Sequence, residues 1–349
     1  MLNGLTFWGS GLKAKHQIGH HSSFQTLAAE MLQYLVICVL LYVLYYRYRD
    51  RQRIKNVSDK YVYITGCDSG FGNVLAKHLD QQGFHVLAAC FTEKGAEELK
   101  ECTSSRLKTF QLDVVNSESI NKAAEFVKSE VKEKGLWGLV NNAGISVPGG
   151  PSDWLTIDDY KVVLNVNLIG QIEVTLSVLP LIKRARGRIV NVASVFGKVS
   201  FGGGPYCISK FGVEAFNDGL RRDLSHFGVK VLCVEPGFFK TNITNLNMIT
   251  KSLEAIWLRL PQDVKDDYGA DYLDKIIPKF KARVKKLADP DLMKVVWCMN
   301  HALTAVHPRT RYSAGLDAKL FWIPLSYMPA VISDIVFNAD QVKPAKRIL

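Results

Sequence analysis

The sequence predicts an α/β fold, a doubly wound parallel sheet with helices on both faces. Three observations predict it. Short apolar runs recur at 61–65, 85–90, 107–112, 136–140, 187–193 and 229–234, each the length of a strand. Helical patterns separate them, and that alternation joins parallel strands through crossover helices. A glycine-rich turn follows the first run directly. At 349 residues the chain is long enough for one large domain with extensions, and it shows no internal repeat and no low-complexity tract.

Taken in order, residues 1–26 form an N-terminal tail to which the sequence assigns no role. Residues 27–46 read as a membrane anchor helix. From 31 to 46 the chain is apolar apart from Gln33, and as a helix this stretch spans about 24 Å against ~30 Å of hydrocarbon. A start at Leu27 lengthens it and places Glu30 at the interface, where Tyr34, Tyr42, Tyr45 and Tyr46 also fit. A cleaved signal peptide is the alternative, but no small-residue cleavage site is evident. Arg47, Arg49, Arg51, Arg53 and Lys55 then mark a basic juxtamembrane linker, 47–60. Residues 1–60 hold eight Lys/Arg against three Asp/Glu, within a net charge of +11. Without a zinc spacing or an RNA-binding signature, this excess points to a membrane surface and not to nucleic acid. Its position C-terminal to the anchor puts the following domain in the cytosol and residues 1–26 in the lumen, although Lys13 and Lys15 dilute the asymmetry.

The first strand runs into Gly66-Cys67-Asp68-Ser69-Gly70-Phe71-Gly72 and then a helical pattern. Strand, glycine turn and helix present backbone N–H groups to a pyrophosphate. The spacing is GxxxGxG and not GxGxxG, and a purely structural turn has the same outline. At the end of the second strand an acid would meet a ribose 2′-OH and a base a 2′-phosphate. Cys90, Phe91 and Thr92 stand there, which favours NAD over NADP, with Lys94 the nearest cation.

Ser194 ends the fifth strand run. Tyr206 and Lys210, four residues apart, share one helix face. An ammonium beside a phenol favours the phenolate and draws its titration from ~10 toward neutral, which makes a general base. Singly, each residue has a plainer reading: Tyr206 as a core aromatic, Lys210 as a solvated helix lysine, Ser194 as a turn residue, Asn167 as a satisfied loop amide. Their joint order argues for a site.

Several motifs fit one family in sequence: 65–72, Leu112-Asp113-Val114, Asn141-Asn142-Ala143-Gly144, 165–170, Ser194, Tyr206 with Lys210, and Pro236-Gly237 leading to Thr241. On these the chain resembles the short-chain dehydrogenase/reductases, whose domain is a Rossmann-type sheet, over 61 to about 245. The stretches 64–72, 136–144 and 307–315 are further similar to the microsomal retinol and 3α/17β-hydroxysteroid dehydrogenases. The resemblance implies that Tyr206 takes the proton from a substrate hydroxyl, that Lys210 lowers its pKa and binds the nicotinamide ribose, and that Ser194 holds the substrate oxygen. Asn167 would support a proton-carrying water. Thr65, Gly66, Ser69, Gly70, Phe71, Gly72, Ala143 and Gly144 would bind NAD, with Asp113 and Asn141 on the adenosine side and Pro236, Gly237 and Thr241 on the nicotinamide side. No metal is implied. Ala193 and Pro205 depart from a common serine and glycine beside the substrate mouth.

The catalytic domain then covers 61–319, with a variable lid at about 242–300 in which Ile256, Trp257 and Leu258 read either as pocket or as core. The apolar run 320–337 carries Pro324, Pro329 and Asp334, which argue against a simple span. It reads as a membrane-associated segment or substrate gate, and alternatively as a helix packed on the domain; 320–349 is the hydrophobic C-terminal segment and tail. Seven cysteines without paired spacing read as free thiols. Asn242-Ile243-Thr244 is a sequon beside the expected cofactor site. The resemblance implies oxidation of a lipophilic alcohol, a retinoid or steroid, at the endoplasmic reticulum membrane, with homodimer formation common in the family. Two rivals stay open: an NADPH-dependent lipid carbonyl reductase, and a non-catalytic membrane-tethered dinucleotide-binding protein.

Overall fold

A computed structural model describes residues 11–202, 204–339 and 341–346. Residues 1–10 of the expected tail lie outside the described residues. Two units are distinguished and are described separately.

The first unit is built on helix α1 (Gly11–Arg51). Its stretch Ala29–Arg51 has 23 residues and a mean hydropathy of 1.7, and none of it is buried. At 1.5 Å per residue that is about 34 Å, enough to cross ~30 Å of hydrocarbon. Length and composition therefore fit an anchor. The helix runs through both expected boundaries, starting inside the tail and ending inside the basic linker. No proline falls within it, so nothing removes a helical hydrogen bond at either point. Beyond it Arg53 bridges antiparallel to Ala305, and the Val306 N–H donates to the Gln52 carbonyl at 3.0 Å.

The second unit is a parallel sheet of β1 (Tyr61–Thr65), β2 (His85–Cys90), β3 (Leu107–Gln111), β4 (Gly138–Asn141), β5 (Arg188–Val192), β6 (Lys230–Pro236) and β7 (Arg311–Ala314). Their order is β3-β2-β1-β4-β5-β6-β7. Six coincide with the expected runs. β7 does not, because Arg-Tyr-Ser-Ala has no apolar run and alternates between buried and half-buried. The helices are α2 (Gly70–Gln81), α3 (Glu93–Glu101), α4 (Ser117–Val131), α5 (Ile157–Leu164), α6 (Gly170–Ala185) and α7 (Pro205–Asp223). There follow α8 (Leu246–Arg259), α9 (Gln262–Tyr268), α10 (Tyr272–Leu287), α11 (Met293–Thr304), α12 (Ile323–Ser326) and α13 (Ala330–Asn338).

Strand side chains alternate between two cores. Val62, Ile64, Val86, Val190 and Val234 meet Leu75 and Leu79 of α2 and Val295 and Met299 of α11. Tyr63, Leu87, Ile189 and Val231 meet Ile120 and Val127 of α4, Val178 and Ile182 of α6 and Leu220 of α7. Helices on both faces complete the doubly wound architecture. The apolar stretch Ile157–Ala185 is long enough to cross a membrane, but its Val174, Val178 and Ile182 are buried in this second core. It is a sheet-covering helix pair.

The lid has its own small core. Trp154 packs against Trp257, Tyr268 and Tyr272 at ring separations of 5.1, 5.1 and 5.8 Å, with Leu253 and Ile256 beside them. Arg259 of α8 meets the Asp159 carboxylate of α5, which ties the lid to the main domain. Ile256 and Trp257 are therefore core, while Leu258 is exposed. The segment 318–338 divides. Trp322 joins Phe196, Phe201, Phe238 and Phe337 in an aromatic cluster, whereas Leu320 is 75 % and Tyr327 82 % exposed. No disulfide forms among the seven cysteines.

Candidate active site

The strand order reverses between β1 and β4, and a crevice at the carboxyl ends of strands on either side of such a point is where ligands bind in open α/β sheets. A cavity of about 1100 Å³ opens there. The turn after β1, the loops after β4 and β5, and the loop after β6 all contribute to its wall.

The glycine turn has the shape of a phosphate cradle. Gly66 sits at φ +71°, and a Cβ on it would come within 2.8 Å of the Ala143 backbone. Gly66, Ser69, Gly70 and Phe71 line the cavity at the start of α2, whose N-terminal N–H groups open toward it. Ser69 is fixed by Asn242, whose amide donates to its hydroxyl at 2.8 Å. The sequon asparagine is thus part of the wall.

Thr65, Gly72 and Asn141, expected among the cofactor ligands, do not reach the cavity lining. Thr65 Oγ1 accepts the N–H groups of Asn142 and Ala143, both at 3.0 Å, and so joins β1 to the loop after β4. A Cβ on Gly72 would lie 2.5 Å from both the Asn142 amide and the Gly66 carbonyl, so this glycine allows close packing of helix on loop. Asn141 points into the α6 side of the sheet, where its amide donates to Thr175 at 2.8 Å and Asn191 at 2.9 Å. Strand alternation explains it: Asn142, Ala143 and Gly144, just past the strand, face the cavity instead. Asp113 lines the opposite wall and accepts the Val115 N–H at 3.0 Å.

Ser194, Tyr206 and Lys210 all line the cavity. Ser194 is placed by the end of β5 and accepts the Phe196 N–H at 3.2 Å. Tyr206 and Lys210 come from the first turns of α7, which Pro205 starts. The phenol lies near the Ser194 hydroxyl, which favours its ionised form. Lys210 Nζ donates to the Val192 carbonyl at 2.9 Å and lies 5.7 Å from the Tyr206 ring centre. The expected fall in the phenol's pKa is not what this arrangement gives. Burial pushes Tyr206 up to about 12, only partly opposed by the nearby Ser194 hydroxyl. Burial also pulls Lys210 down to about 8. The ammonium spends its nearest contact on a carbonyl, so desolvation outweighs it.

Asn167 lies in a π-helical turn, 165–169, between α5 and α6. It is buried, accepts the Ile145 N–H at 2.8 Å, and donates to the Ile145 carbonyl at 2.9 Å and to Ser209 at 3.0 Å. Its oxygen remains close to the gap between Gly144 and Lys210: a Cβ on Gly144 would stand 3.3 Å from that oxygen and 3.8 Å from the ammonium.

Pro236, Gly237 and Thr241 line the far side. Here the structure adds a residue that the sequence does not single out. Asp317 accepts the Phe238 N–H at 2.8 Å and the Trp322 indole N–H at 3.1 Å. A Cβ on Gly237 would collide with its carboxylate at 2.3 Å. Asp317 lies some eighty residues downstream with no local motif, so only the fold brings it here. Asp68 is a second addition: its carboxylate accepts the Phe91 and Thr92 N–H groups, both at 2.8 Å. Behind Lys210, Glu214, Cys233 and Glu235 lie close enough to suggest a metal site. Lys198 and Arg311, the latter from β7, already ion-pair with both carboxylates.

The glycine turn, the close glycines at 144 and 237, and the Asp113 wall all fit a dinucleotide. Comparison with known proteins agrees. A family model described as short chain dehydrogenase matches residues 60–250. Retinol dehydrogenase 16 of Homo sapiens is 54 % identical over 321 residues, 91 % of this chain and all of that one. Retinol dehydrogenase 7 of Rattus norvegicus is 53 % identical and human 17-beta-hydroxysteroid dehydrogenase type 6 is 52 % identical, each over 91 % of this chain and all of its own length. Among solved structures, a short chain dehydrogenase/reductase from Burkholderia phymatum in complex with NAD superposes with a TM-score of 0.64 at 20 % identity, over 84 % of this chain and all of that one. One from Burkholderia cenocepacia in complex with NADP gives 0.59 at 19 %, over 81 % of this chain and 98 % of that one. These two share the fold with either cofactor. With motifs, sheet order, crevice and relatives in agreement, the chain belongs to the short-chain dehydrogenase family.

Proposed function

We propose that the protein is a membrane-bound oxidoreductase that oxidises a lipophilic alcohol, a retinol or a 3α/17β-hydroxysteroid, with NAD as hydride acceptor. The observation that carries this is the convergence of Ser194, Tyr206 and Lys210 on one cavity that Leu253, Ile276, Phe280 and Val342 continue with apolar wall. The relatives' names point to the same two substrate classes. Bound nicotinamide supplies the hydride acceptor. Ser194 holds the substrate oxygen by a hydrogen bond. Tyr206, beside it, takes the hydroxyl proton as the carbon–hydrogen bond breaks. Lys210 offers the positive charge that favours the phenolate, and the Asn167 oxygen can hold a water next to Lys210 that carries the proton outward.

NAD is favoured over NADP because the wall near the end of β2 offers Phe91 and the Asp68 carboxylate, and an anion there repels a 2′-phosphate. Lys94 instead pairs with Glu98 at 3.7 Å. Exposed Leu176 on α6 and Ile208 and Phe211 on α7 support homodimer formation through these helices. The apolar α1 helix and its basic flank support residence in the endoplasmic reticulum membrane with a cytosolic catalytic domain, and the exposed apolar residues between 316 and 336 support a second lipid contact.

Membranes carrying the chain should produce NADH with all-trans-retinol or a 3α-hydroxysteroid. Tyr206→Phe should lower turnover at least ~10²-fold while NADH binding, read by fluorescence, stays near normal. Near-normal turnover in that variant would overturn the assignment. A clear preference for NADPH and a carbonyl substrate would favour the reductase reading.

A further inference from the structure

Residues 341–346 form a strap across the lid, beside α9 and α10. The Ala345 N–H donates to the Tyr268 carbonyl at 3.0 Å and the Lys346 N–H to the Asp267 carbonyl at 2.9 Å. The Tyr272 hydroxyl donates to the Val342 carbonyl at 3.3 Å. Lys346 Nζ reaches Asp267 at 2.8 Å. Gly269, at φ +94°, stands where a Cβ would come within 3.1 Å of the Ala345 side chain, so the absence of a side chain lets the strap lie close. Gln341, Val342 and Pro344 then line the same cavity as the catalytic groups, next to Tyr268, Tyr272 and Ile276.

We propose that this strap is the far wall of the substrate pocket and sets how long a lipophilic alcohol the enzyme accepts. The proposal rests on the alcohol-oxidising reading above. Three features carry it. The strap is fastened to the lid, through Asp267, Tyr268 and Tyr272. Of its cavity-lining residues, Val342 and Pro344 offer an apolar surface, beside the amide of Gln341. The rings of Tyr268 and Tyr272 flank it with their hydroxyls already engaged, Tyr268 on Asp153 at 2.8 Å and Tyr272 on the strap itself. The tyrosine hydroxyls are thus spent, and Val342 and Pro344 present a wall that selects by length and shape. A short alcohol reaches Ser194 and Tyr206 without touching it, and a long one ends against it.

The test uses the full chain in membranes and a graded series of allylic alcohols: prenol, geraniol, farnesol and all-trans-retinol. Binding in the presence of NADH is read by tryptophan fluorescence, and oxidation by NADH production. Val342→Trp should weaken retinol binding and raise its KM roughly tenfold, the discrimination that a change of fit in an apolar pocket provides, and should change the KM for prenol and the affinity for NAD far less. Deletion of 341–349 should weaken retinol binding likewise and flatten the dependence on length. Lys346→Glu, which sets two like charges together at Asp267, should act in the direction of the deletion. An equal loss for every alcohol, a matching loss of NAD affinity, or no change at all would overturn the strap as a length gauge. Absence of turnover with length-dependent binding intact would sink the activity reading and leave the strap standing.

Discussion

A phenol buried as deeply as Tyr206 has to ionise against its surroundings, and the pH dependence should show how. With the phenol pushed up to about 12, oxidation should quicken as pH rises from neutral, because more phenolate forms. Lys210, pulled down to about 8, loses its proton as pH climbs past that value and with it the charge that favours the phenolate. The rise should therefore flatten above about pH 8. Lys210→Met should lack that inflection and lower kcat/KM by about 10²-fold or more, which kcat/KM measured from neutral to alkaline pH would reveal. Asp317 makes a different kind of prediction. Asp317→Ala leaves the Phe238 and Trp322 N–H groups without their acceptor, at about 1 kcal/mol or more for these half-buried bonds. It should lower Tm and raise the KM for NAD together, because the loop it holds lines the cavity. A lowered Tm with an unchanged KM would make Asp317 a purely structural brace. Sequence pattern located Tyr206 and Lys210 because their relation is local, four residues along one helix. It missed Asp317 because that relation is made only by β6 and β7 lying side by side.

At the scale of elements, six strands were legible because each is an apolar run with turn residues around it. β7 was not, since its place at the edge leaves half its side chains only partly buried, and its partner Glu235 lies far away in sequence. The glycine turn was legible as a turn between strand and helix, but not which of its residues line the cavity. Thr65, Gly72 and Asn141 serve the packing of β1, α2 and β4, a distinction that depends on the facing of side chains at a strand end. The lid was legible as a change of pattern, and its interior was not, because aromatic residues at helical spacing serve equally for core and pocket. Trp154, which lies outside the lid in sequence, organises that interior. Trp154→Ala should cost about 3–5 kcal/mol and loosen the lid before the sheet, so limited proteolysis should cut first between residues 246 and 287. Cleavage elsewhere first would place the lid's stability on other contacts.

For the molecule as a whole, two apolar surfaces bear on how it meets a bilayer: α1, and the run from Leu316 to Val336. The C-terminal run is packed on one side and exposed on the other. Trp322 and Leu325 are packed, and their neighbours on the outer side are not. If those neighbours lie in lipid, removal of residues 1–51 should leave the catalytic domain bound to membranes in a form that salt does not release. Adding Leu320→Glu and Ile335→Glu should free it, since a carboxylate strongly disfavours lipid burial. Flotation on a density gradient would distinguish the two. Release by the truncation alone would leave α1 as the whole of the attachment.

The strap at 341–346 has a practical consequence. Affinity handles and reporter fusions are often placed on the C-terminal side of a chain, and one joined close behind residue 346 would adjoin a segment that lines the cavity. A handle there would be placed to pull the strap off Asp267 or crowd Val342, and the altered preference among alcohols would be taken for a property of the enzyme. Kinetic constants from chains extended at the C-terminus should therefore be compared with those from an untagged chain before any substrate is ranked.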